Sequence, residues 1–435
     1  MKIIAPMKYW ERELETLKRG ELKKLQLRRL KAAVQRVYRN VPFYRSKFAS
    51  KPEISKLEDV QKLPFTSKSD IRDSYPFKMF AVPMSQVIRL HASSGTSGKP
   101  TVVGYTQRDI ETWANLIARC LTMVGVRKGD IFQNAVGYGL FTGGLGFHYG
   151  AEKIGVTIVP AGTGTTMRQI EMLLDFGVTV IHCTPSYALY IAETAEENGI
   201  DASQFSLRIG CFGAEPWSEN TRKELEEALD IKAYDSYGLS EMFGPGVAFE
   251  CEEQNGLHIW EDHFLVEVVD SKGEQCSPGE SGELVLTSLT KEALPLIRYR
   301  TGDIAKILED PCPCGRTSIR ISRILGRADD MMVIRGINVF PSQIEHVLMG
   351  IPEVGEYFQV VVDRRKYLDE ITVKVELNEK SFTGELDDLK RIQNKIANQL
   401  YNALNLRTNV ILVERGTLPR VEGKYKRIID LREKI

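Results

Sequence analysis

The chain has 435 residues and is 43% hydrophobic, so it is long enough to bury a large core and to divide into two or three domains. Lys and Arg number 58, as do Asp and Glu, so no net charge attracts nucleic acid or a membrane, and a small-molecule ligand is favoured. Seven cysteines without an apolar leader segment predict reduced thiols and a cytoplasmic location, and no apolar run approaches the roughly 20 residues of a membrane span.

The amino-terminal half contains two patterns of apolar and polar residues. Over residues 11–39, apolar residues recur three or four apart among charged ones, which predicts an amphipathic helix with a solvated charged face. Over residues 86–237, short β-rich runs alternate with helical segments, and the first of these runs are residues 87–90 and 102–105. The alternation predicts a largely parallel sheet with helices on both faces, whose ligands bind beyond the carboxyl ends of the strands.

The carboxyl-terminal half contains two further sequence patterns. Residues 264–308 are alternating strands without long helices, which predicts a small β-rich subdomain. After residue 327, helical and strand patterns alternate, with a long helix over residues 386–404, which predicts a small α+β domain. The predicted fold class is therefore α/β: a large amino-terminal domain with mostly parallel sheets and a β-rich subdomain, followed by a small α+β domain.

A glycine-rich stretch, SSGTSGKPT at residues 93–101, has the composition of a phosphate-binding loop. Its unhindered backbone N–H groups, its hydroxyls and the ammonium of Lys99 suit a polyphosphate. A Walker loop has four residues between its glycines and Ser or Thr after its Lys. Here two residues separate Gly95 from Gly98 and Pro100 follows the Lys, so that loop is excluded. A flexible Ser/Gly hairpin is the structural alternative.

Four further motifs follow in chain order. YGLSEM at residues 237–242 offers an aromatic face for a purine and a carboxylate for Mg²⁺. YRTGD at residues 299–303 offers a carboxylate for ribose hydroxyls, although Thr-Gly-Asp is also an ordinary turn. Residues 326–345 lie where the sequence pattern changes from that of the large domain to that of the small α+β domain. RVEGKYKR at residues 420–427 either lifts Lys424 on a turn or is a solvated tail.

In this order the five motifs resemble the adenylate-forming superfamily of acyl-CoA synthetases, peptide-synthetase adenylation domains and luciferases. More closely, the chain is similar to the phenylacetate-CoA ligase family from about residue 40 onward. The resemblance implies an adenylate-forming domain over residues 1–328, with 1–85 as a helical lead-in, and a small mobile domain over residues 329–435. The additional segments that echo this family are residues 41–45, 63–66, 213–216, 256–262 and 334–341.

The resemblance implies a two-step reaction. The carboxylate of an acid attacks the α-phosphate of ATP and expels pyrophosphate, and the thiol of coenzyme A then displaces AMP to give a thioester. No covalent enzyme nucleophile is needed, so the site must neutralise charge and align the attack. The implied acid is an aryl-acetic acid, with phenylacetate first, and the implied cofactors are ATP, Mg²⁺ and coenzyme A.

The resemblance also implies roles for particular residues. Lys424 would bridge carboxylate and phosphate oxygens in the first step, although Lys426 lies close to it, and Thr96 and Glu241 would hold Mg²⁺. The small domain would pivot at Asp329 before the second step. The implied nucleotide-binding residues are Ser93, Ser94, Gly95, Thr96, Ser97, Gly98, Lys99, Gly213, Ala214, Glu215, Pro216, Asp235, Ser236, Tyr237, Gly238, Asp303 and Arg327. The implied coenzyme A residues are Arg335, Gly336 and Asn338.

The acid pocket is predicted near residues 137–144, GYGLFTGG, which follow a predicted strand. Tyr138 and Phe141 offer aromatic walls that suit an aryl acid, and Ala214 completes the predicted lining. Aromatic residues beside a glycine-rich turn are also common in core packing, which is the structural alternative.

Four other residues have the chemistry of a metal site. Cys251 and His258 lie seven positions apart, and Cys312 and Cys314 form a Cys-Pro-Cys-Gly-Arg turn. Four nitrogen and sulfur ligands suit structural zinc. The Cys-x-Cys spacing is shorter than usual and the two pairs are distant in sequence, so ordinary reduced cysteines are an equal alternative.

Two other functions compete with the ligase. One is a stand-alone adenylation enzyme that passes the acyl or adenylyl group to a carrier protein or another acceptor, as in the related branch that adenylates a deazaflavin. The other is a non-catalytic binding protein, which is disfavoured because every implied catalytic residue is present. The resemblance also suggests a homodimer, with no nucleic-acid or membrane partner.

Overall fold

A computed structural model describes most of the chain, with several interruptions. The chain divides into two compact units, each built from more than one stretch of sequence. The described residues are 8–92, 100–328, 332–334, 337–339, 341–365, 368–378, 381, 386–404, 406–419 and 427–431. The first unit comprises Met1–Thr184, Tyr190–Ala214 and Ala228–Arg323, and the second comprises Pro185–Leu189, Glu215–Glu227 and Ile324–Ile435.

Helices occur throughout the described residues. None of those helices is both long and apolar enough to cross a bilayer. The α-helices are α1 (Arg12–Glu15), α2 (Arg19–Asn40), α3 (Pro42–Lys47), α4 (Lys68–Asp73), α5 (Gln107–Met123), α6 (Thr142–Ile154), α7 (Thr166–Asp175), α8 (Pro185–Glu197), α9 (Glu219–Leu229), α10 (Pro341–Met349) and α11 (Leu386–Leu404). Short 3₁₀ turns are Leu57–Lys62, Met84–Gln86, Ala202–Gln204 and Ser240–Met242.

Strands alternate with these helices. They are β1 (Arg89–Ala92), β2 (Val102–Tyr105), β3 (Ile131–Asn134), β4 (Thr157–Val159), β5 (Val180–Cys183), β6 (Ile209–Gly213), β7 (Lys232–Leu239), β8 (Gly244–Glu250), β9 (Leu257–Ile259), β10 (Phe264–Val269), β11 (Ser281–Ser288), β12 (Tyr299–Leu308), β13 (Arg320–Ile321), β14 (Gly326–Arg327), β15 (Met332–Ile334), β16 (Ile337–Val339), β17 (Val354–Arg365), β18 (Leu368–Leu377), β19 (Asn409–Val413) and β20 (Ile428–Asp430).

One long sheet organises the first unit. Its strands follow the order β10-β11-β12-β13-β9-β8-β7-β6-β5-β3-β4. From β4 to β7 neighbouring strands are parallel, and from β7 to β10 they are antiparallel. The α/β fold class is confirmed. The strands predicted as a β-rich subdomain continue the same sheet, because β9 pairs with both β8 and β13.

The first two strands differ from the prediction. Residues 87–90 and 102–105 were expected in the parallel sheet, but β1 and β2 pair with each other in a separate antiparallel hairpin, with Ala92 opposite Val102. A short connection is enough for antiparallel pairing, whereas parallel pairing needs a crossover of a dozen or more residues. The hairpin therefore places the two ends of the predicted phosphate loop side by side.

The parallel half has the burial expected of strands covered on both faces. Every residue of β5 and β6 is buried. Helix α5 begins with a capping box in which Thr106 and Asp109 bond each other's backbone N–H groups. Helix α6 packs closely on α5, because a Cβ at Gly146 would lie 2.5 Å from the Trp113 ring. Glycine at this position therefore permits the close approach of the two helices.

The predicted helix over residues 11–39 is observed as two helices, α1 and α2, separated by residues 16–18. The Thr317 N–H bonds the carbonyl of Glu15 at 3.1 Å, and the Thr317 hydroxyl bonds the carbonyl of Leu17 at 2.7 Å. These tertiary hydrogen bonds take carbonyls that a continuous helix would use itself. Helix α2 then buries an apolar stripe that includes Leu30, Val34 and Val37, as predicted.

The second unit contains a four-stranded sheet in the order β19-β18-β17-β20. The long pair β17–β18 is antiparallel, and the flanking strands are parallel to their neighbours. Helices α10 and α11 bury apolar residues such as Ile344 and Ile396 in one core with β17 and β18. This arrangement has the elements predicted for the small α+β domain.

Candidate active site

The carboxyl ends of the parallel strands bring several predicted segments to one edge of the sheet. Asn134 at the end of β3 is in register with His182 of β5, and Gly213 at the end of β6 is in register with Ser236 of β7. Residues 137–144, predicted for the acid, follow β3. The segment predicted for adenine follows β6. Both segments therefore begin at the edge of the sheet where ligands bind in folds of this kind.

The end of β6 approaches β7 very closely. A Cβ at Gly213 would clash with the carbonyl oxygen of Ser236, so only glycine fits there. Ala214 has a φ of +70°, in the left-handed region that an L side chain rarely adopts. The hydroxyl of Ser236 is buried without a hydrogen-bond partner among the described residues. A buried orphan hydroxyl at a strand end is a group that a ligand can satisfy.

Two carboxylates of the predicted motifs lie at the same end of the sheet. The Tyr237 hydroxyl donates a 2.7 Å hydrogen bond to Asp303 Oδ2, although the two residues are 66 positions apart. The Asp303 N–H donates to the hydroxyl of Thr301 at 3.0 Å, within strand β12, whereas the sequence alternative placed Thr-Gly-Asp in an ordinary turn. In the adjacent Ser240–Met242 turn, Glu241 is 5% exposed, and its Oε1 accepts a 3.3 Å hydrogen bond from Tyr299.

The turn that carries Glu241 is held firmly from outside. The Tyr105 hydroxyl bonds the carbonyls of Ser240 at 3.2 Å and Phe243 at 2.8 Å, and Lys291 Nζ bonds the Glu241 carbonyl at 3.3 Å. Phe243 itself has a φ of +103°. Burial lowers the pKa of Lys291 to about 8, against the opposing attraction of nearby carboxylates. The carboxylate of Glu241 is therefore presented by a preorganised backbone.

Three residues beside Glu241 were not predicted from the sequence. Lys68 Nζ lies 3.9 Å from Glu241 Oε1 and its side chain is 43% exposed. Lys291 and Tyr299 are buried. Two of them have weak signals in the sequence: Lys68 comes two residues after the LPFT segment at 63–66, and Tyr299 opens the YRTGD motif. Their role became visible only when folding brought three distant segments together.

The predicted acid pocket contains a polar network. Asn134 Nδ2 donates a 2.8 Å hydrogen bond to the Tyr138 hydroxyl, which also lies 3.2 Å from His148 Nδ1. Burial raises the pKa of Tyr138 to about 12, so its hydroxyl stays protonated. The Asn134 oxygen lies 2.8 Å from His182 Nδ1. Phe141 is 46% exposed, which is consistent with an accessible wall and argues against simple core packing.

The four metal-type ligands converge in the first unit. Their ligand atoms all lie within 4.8 Å of one another, and all four side chains are buried. Cys251 Sγ is 3.6 Å from Cys312 Sγ, and Cys314 Sγ is 3.3 Å from His258 Nε2. A hydrogen bond from Cys251 lowers the pKa of Cys314 far below its ordinary value, and the His258 ring adds to this effect. The cluster therefore favours thiolate at Cys314.

The remaining predicted site residues are divided between the two units or lie outside the described residues. The Glu215 carboxylate caps α8 by accepting the Ser186 N–H at 2.8 Å, and Pro216 is exposed. Asp235 is buried, and its N–H bonds Glu250 at 2.7 Å. Gly238 lies in β7, Arg327 in β14 and Asn338 in β16. Outside the described residues lie Ser93, Ser94, Gly95, Thr96, Ser97, Gly98, Lys99, Asp329, Arg335, Gly336 and Lys424.

Two family descriptions match the sequence. The AMP-binding enzyme family matches residues 22–290, and the AMP-binding enzyme C-terminal domain matches residues 336–432. The phenylacetate-coenzyme A ligase of Thermus thermophilus is 48% identical, over 98% of this chain and 100% of that protein. The phenylacetate-coenzyme A ligase of Escherichia coli K12 is 49% identical, over 96% of this chain and 97% of that protein.

Solved structures share the fold. A 2-hydroxyisobutyryl-CoA ligase in the postadenylation state, in complex with 2-HIB-AMP, superposes with a TM-score of 0.93 at 31% identity, over 99% of this chain and 94% of that chain. An open conformation of the same ligase with 2-HIB-AMP and CoA gives a TM-score of 0.75 at 30% identity, over 98% and 95% of the two chains.

Proposed function

Because the chain belongs to the AMP-binding enzyme family and is an ATP-dependent, AMP-forming acid–CoA ligase, we propose that its acid substrate is an aryl acetate, with phenylacetate first. The phenylacetate-coenzyme A ligases that are 46–49% identical cover almost the whole chain, which supports an acid of this class. The half-buried Tyr138 and the exposed ring of Phe141 follow β3 and would supply its aromatic walls, with Ala214 beside them.

The observation that supports ATP as the activating nucleotide is a set of polar groups on β7, on β12 and in the turn after β7. The orphan hydroxyl of Ser236 suits a polar atom of a bound adenine. The carboxylate of Asp303, oriented by Tyr237, suits the ribose hydroxyls. The buried carboxylate of Glu241 lies 3.9 Å from the ammonium of Lys68, in surroundings that suit a cation and phosphate oxygens. A nucleotide meets complementary groups along its length.

Charge neutralisation is the main task of this site, because the first step brings a carboxylate to a polyphosphate. We propose that Glu241 and Thr96 hold Mg²⁺, which when bound offsets phosphate charge. The pinned turn keeps Glu241 from reorganising, and residues 93–99 would bind the leaving pyrophosphate through backbone N–H groups and Lys99.

The small domain is proposed to take part in both half-reactions. We propose that it spans residues 329–435, pivots at Asp329 and carries Lys424, which would bridge carboxylate and phosphate oxygens during adenylation. After the pivot, Gly336 would leave space for the thiol arm of coenzyme A, with Arg335 and Asn338 beside it. Arg327 would assist at the ribose.

A panel of acids tests the proposed substrate. Phenylacetate, indoleacetate, 4-hydroxyphenylacetate and 2-hydroxyisobutyrate are each assayed for pyrophosphate release with ATP and for thioester formation with coenzyme A. Phenylacetate should give the highest kcat/KM, and a faster reaction with 2-hydroxyisobutyrate would refute the aryl assignment. Pyrophosphate release without thioester would favour another acceptor.

A variant tests the assigned lysine. Lys424→Ala should cripple pyrophosphate release, because the positive charge is lost at the reacting centre, but should retain thioester formation from supplied phenylacetyl adenylate. Lys426→Ala is the matched control, with both half-reactions retained. An equal loss of both half-reactions in Lys424→Ala would refute the assignment.

We also propose that the cluster of Cys251, His258, Cys312 and Cys314 binds a structural zinc ion, away from the reacting centre. Three thiols and an imidazole are a ligand set that zinc prefers. The enzyme is further proposed to be a cytoplasmic homodimer. Light scattering of the purified protein checks that state, and a monomer mass would exclude it.

A further inference from the structure

The dimensions of the metal-ligand cluster suit a tetrahedral ion. Zinc bonds sulfur at about 2.3 Å and nitrogen at about 2.0 Å, so the ligand atoms of a regular site lie about 3.5–3.8 Å apart. The 3.6 Å between Cys251 and Cys312 and the 3.3 Å between Cys314 and His258 are close to these separations. Because all four ligand atoms lie within 4.8 Å of one another, shifts of at most about 1 Å would close a zinc-sized site.

The histidine is oriented by a second residue. His258 Nδ1 lies 3.1 Å from the hydroxyl of Ser318, so Nε2 is the nitrogen that faces the thiols. A hydrogen bond of this kind fixes the ring and the tautomer of a metal-bound histidine. The ligands also come from three places on the sheet: after β8, within β9, and between β12 and β13. An ion here would join three segments that are distant in sequence.

The loop that supplies two ligands also binds the start of the chain. We call residues 312–317 the cysteine loop and residues 8–17 the amino-terminal segment. The Cys314 carbonyl accepts a 2.9 Å hydrogen bond from the Tyr9 hydroxyl, and Arg316 donates to Glu15 at 2.8 Å and to the Lys8 carbonyl at 2.7 Å. Each of these contacts comes from a metal-ligand residue or from a residue two positions away from one.

The ion pair between Arg316 and Glu15 has unusual burial. Their side chains are 1% and 0% exposed, and Glu15 also accepts the N–H groups of Trp10 and Glu11 at 2.8 and 2.7 Å. A buried pair stabilises a fold only when its geometry is held well enough to repay the loss of water. The cysteine loop has no regular secondary structure to provide that rigidity.

We infer that a zinc ion at this cluster fastens the amino-terminal segment, by fixing the cysteine loop in the conformation that receives Glu15. The inference rests on the zinc site proposed above. The segment in turn reaches the core, because the Glu11 carboxylate pairs with Arg119 of α5 at 2.6 Å, and Arg119 pairs with Asp262 at 2.8 Å. Zinc thus acts at a distance on the attachment of α1.

Metal content and hydrogen exchange test the two steps separately. Purified full-length protein should contain about one equivalent of zinc, and Co²⁺ reconstitution should give thiolate-to-metal charge-transfer bands. After zinc is removed with a chelator and a thiol-reactive mercurial that is then reversed, amide exchange over residues 8–17 should accelerate at least ~10-fold. Exchange in the buried strands β5 and β6 of the first unit should not change, which excludes unfolding of that unit.

Three variants separate the site from its role. Cys312→Ser should lose zinc and show the faster exchange, and Cys276→Ser, a partly exposed thiol outside the cluster, is the matched control and should match wild type. Glu15→Gln should keep its zinc but still show faster exchange over residues 8–17. If Cys312→Ser does not fold, the metal-stripped wild type provides the same comparison.

The outcomes distinguish the failures. Less than half an equivalent of zinc, without charge-transfer bands, would overturn both the site and its role. Bound zinc whose removal leaves exchange over residues 8–17 unchanged would overturn the fastening role alone. Pyrophosphate release is measured in parallel and tests the ligase proposal independently.

Discussion

The two halves of the long sheet differ in how they treat buried polar groups. In the antiparallel half, Arg298 donates to Glu267 at 3.0 and 3.2 Å and to the carbonyls of Gln61 and Leu63 at 2.8 Å each. At the carboxyl edge of the parallel half, Ser236 keeps an orphan hydroxyl and Ala214 keeps a positive φ. The difference teaches that the Arg298 cluster uses its polar groups for stability, whereas the ends of β6 and β7 leave a hydroxyl that a ligand can satisfy.

Arg298→Ala should produce the largest effect. It leaves Glu267 buried without its partner, so the free energy of unfolding should fall by about 3–5 kcal/mol. Urea denaturation measures the change. Arg108→Ala is the control, because its ion pair with Glu292 is exposed on the arginine side and should contribute under about 1 kcal/mol. A loss of less than about 1 kcal/mol for Arg298→Ala would show that the antiparallel half does not depend on this pair.

Glu241→Gln should impair activity and leave stability almost unchanged, the opposite of Arg298→Ala. The loss of the proposed metal-binding carboxylate should reduce kcat for pyrophosphate release by about 10²–10³-fold, as for other preorganised groups at a reacting centre. The unfolding midpoint should change little, since the pinned turn remains. In a titration, half-maximal activity should require a higher concentration of Mg²⁺. Full activity with unchanged Mg²⁺ dependence would remove Glu241 from the site.

His182 at the same edge gives the comparison a dependence on pH. Burial lowers its pKa to about 3 from an ordinary 6.5, so the unfolded chain binds one more proton than the folded chain between these values. Its contribution is complete above about pH 6.5 and decreases by up to about 1.4 kcal/mol per pH unit as the pH falls. His182→Gln should flatten this slope in urea titrations at pH 7, 6 and 5. An unchanged slope would mean that His182 titrates normally.

Ser236→Ala should have the smallest effect on stability and the most selective one on binding. Removal of an unsatisfied hydroxyl should leave the free energy of unfolding unchanged or up to about 1 kcal/mol higher. The KM for ATP should rise several-fold while kcat changes little. Thr287→Val is the contrasting variant, because Thr287 Oγ1 accepts the Arg298 N–H at 2.9 Å, and it should destabilise the fold. Unchanged KM in Ser236→Ala would assign the orphan hydroxyl no ligand.

The parts of the fold that the sequence predicts are those with local periodicity. The strands from β3 to β7 and the helices α2 and α11 are each predicted by a pattern that is complete within a short stretch of sequence. The separate β1–β2 hairpin and the continuity of β8–β13 depend on which strands pair, and pairing is decided by distant segments. Periodicity therefore predicts the individual helices and strands, but it does not predict which strands pair in the sheet.

The candidate site divides in the same way. Motif residues such as Tyr237, Asp303 and Glu241 were predicted because their segments have distinctive composition. Lys291 and Arg316 were missed, since each is an ordinary cation in the sequence and acquires its role from partners tens to hundreds of residues away. A buried lysine or arginine becomes informative only after its burial is known.

The close contact of α5 with α6 has a consequence for engineering the substrate range. Helix α6 begins right after the predicted pocket wall at Phe141, and it carries His148, which contacts Tyr138. Gly146 and Gly150 set the distance of this helix from α5. Substitutions at these glycines would displace the whole helix and so reshape the pocket from behind. If the acid binds at the predicted wall, its accepted size should therefore respond to two positions that face α5 and not that wall.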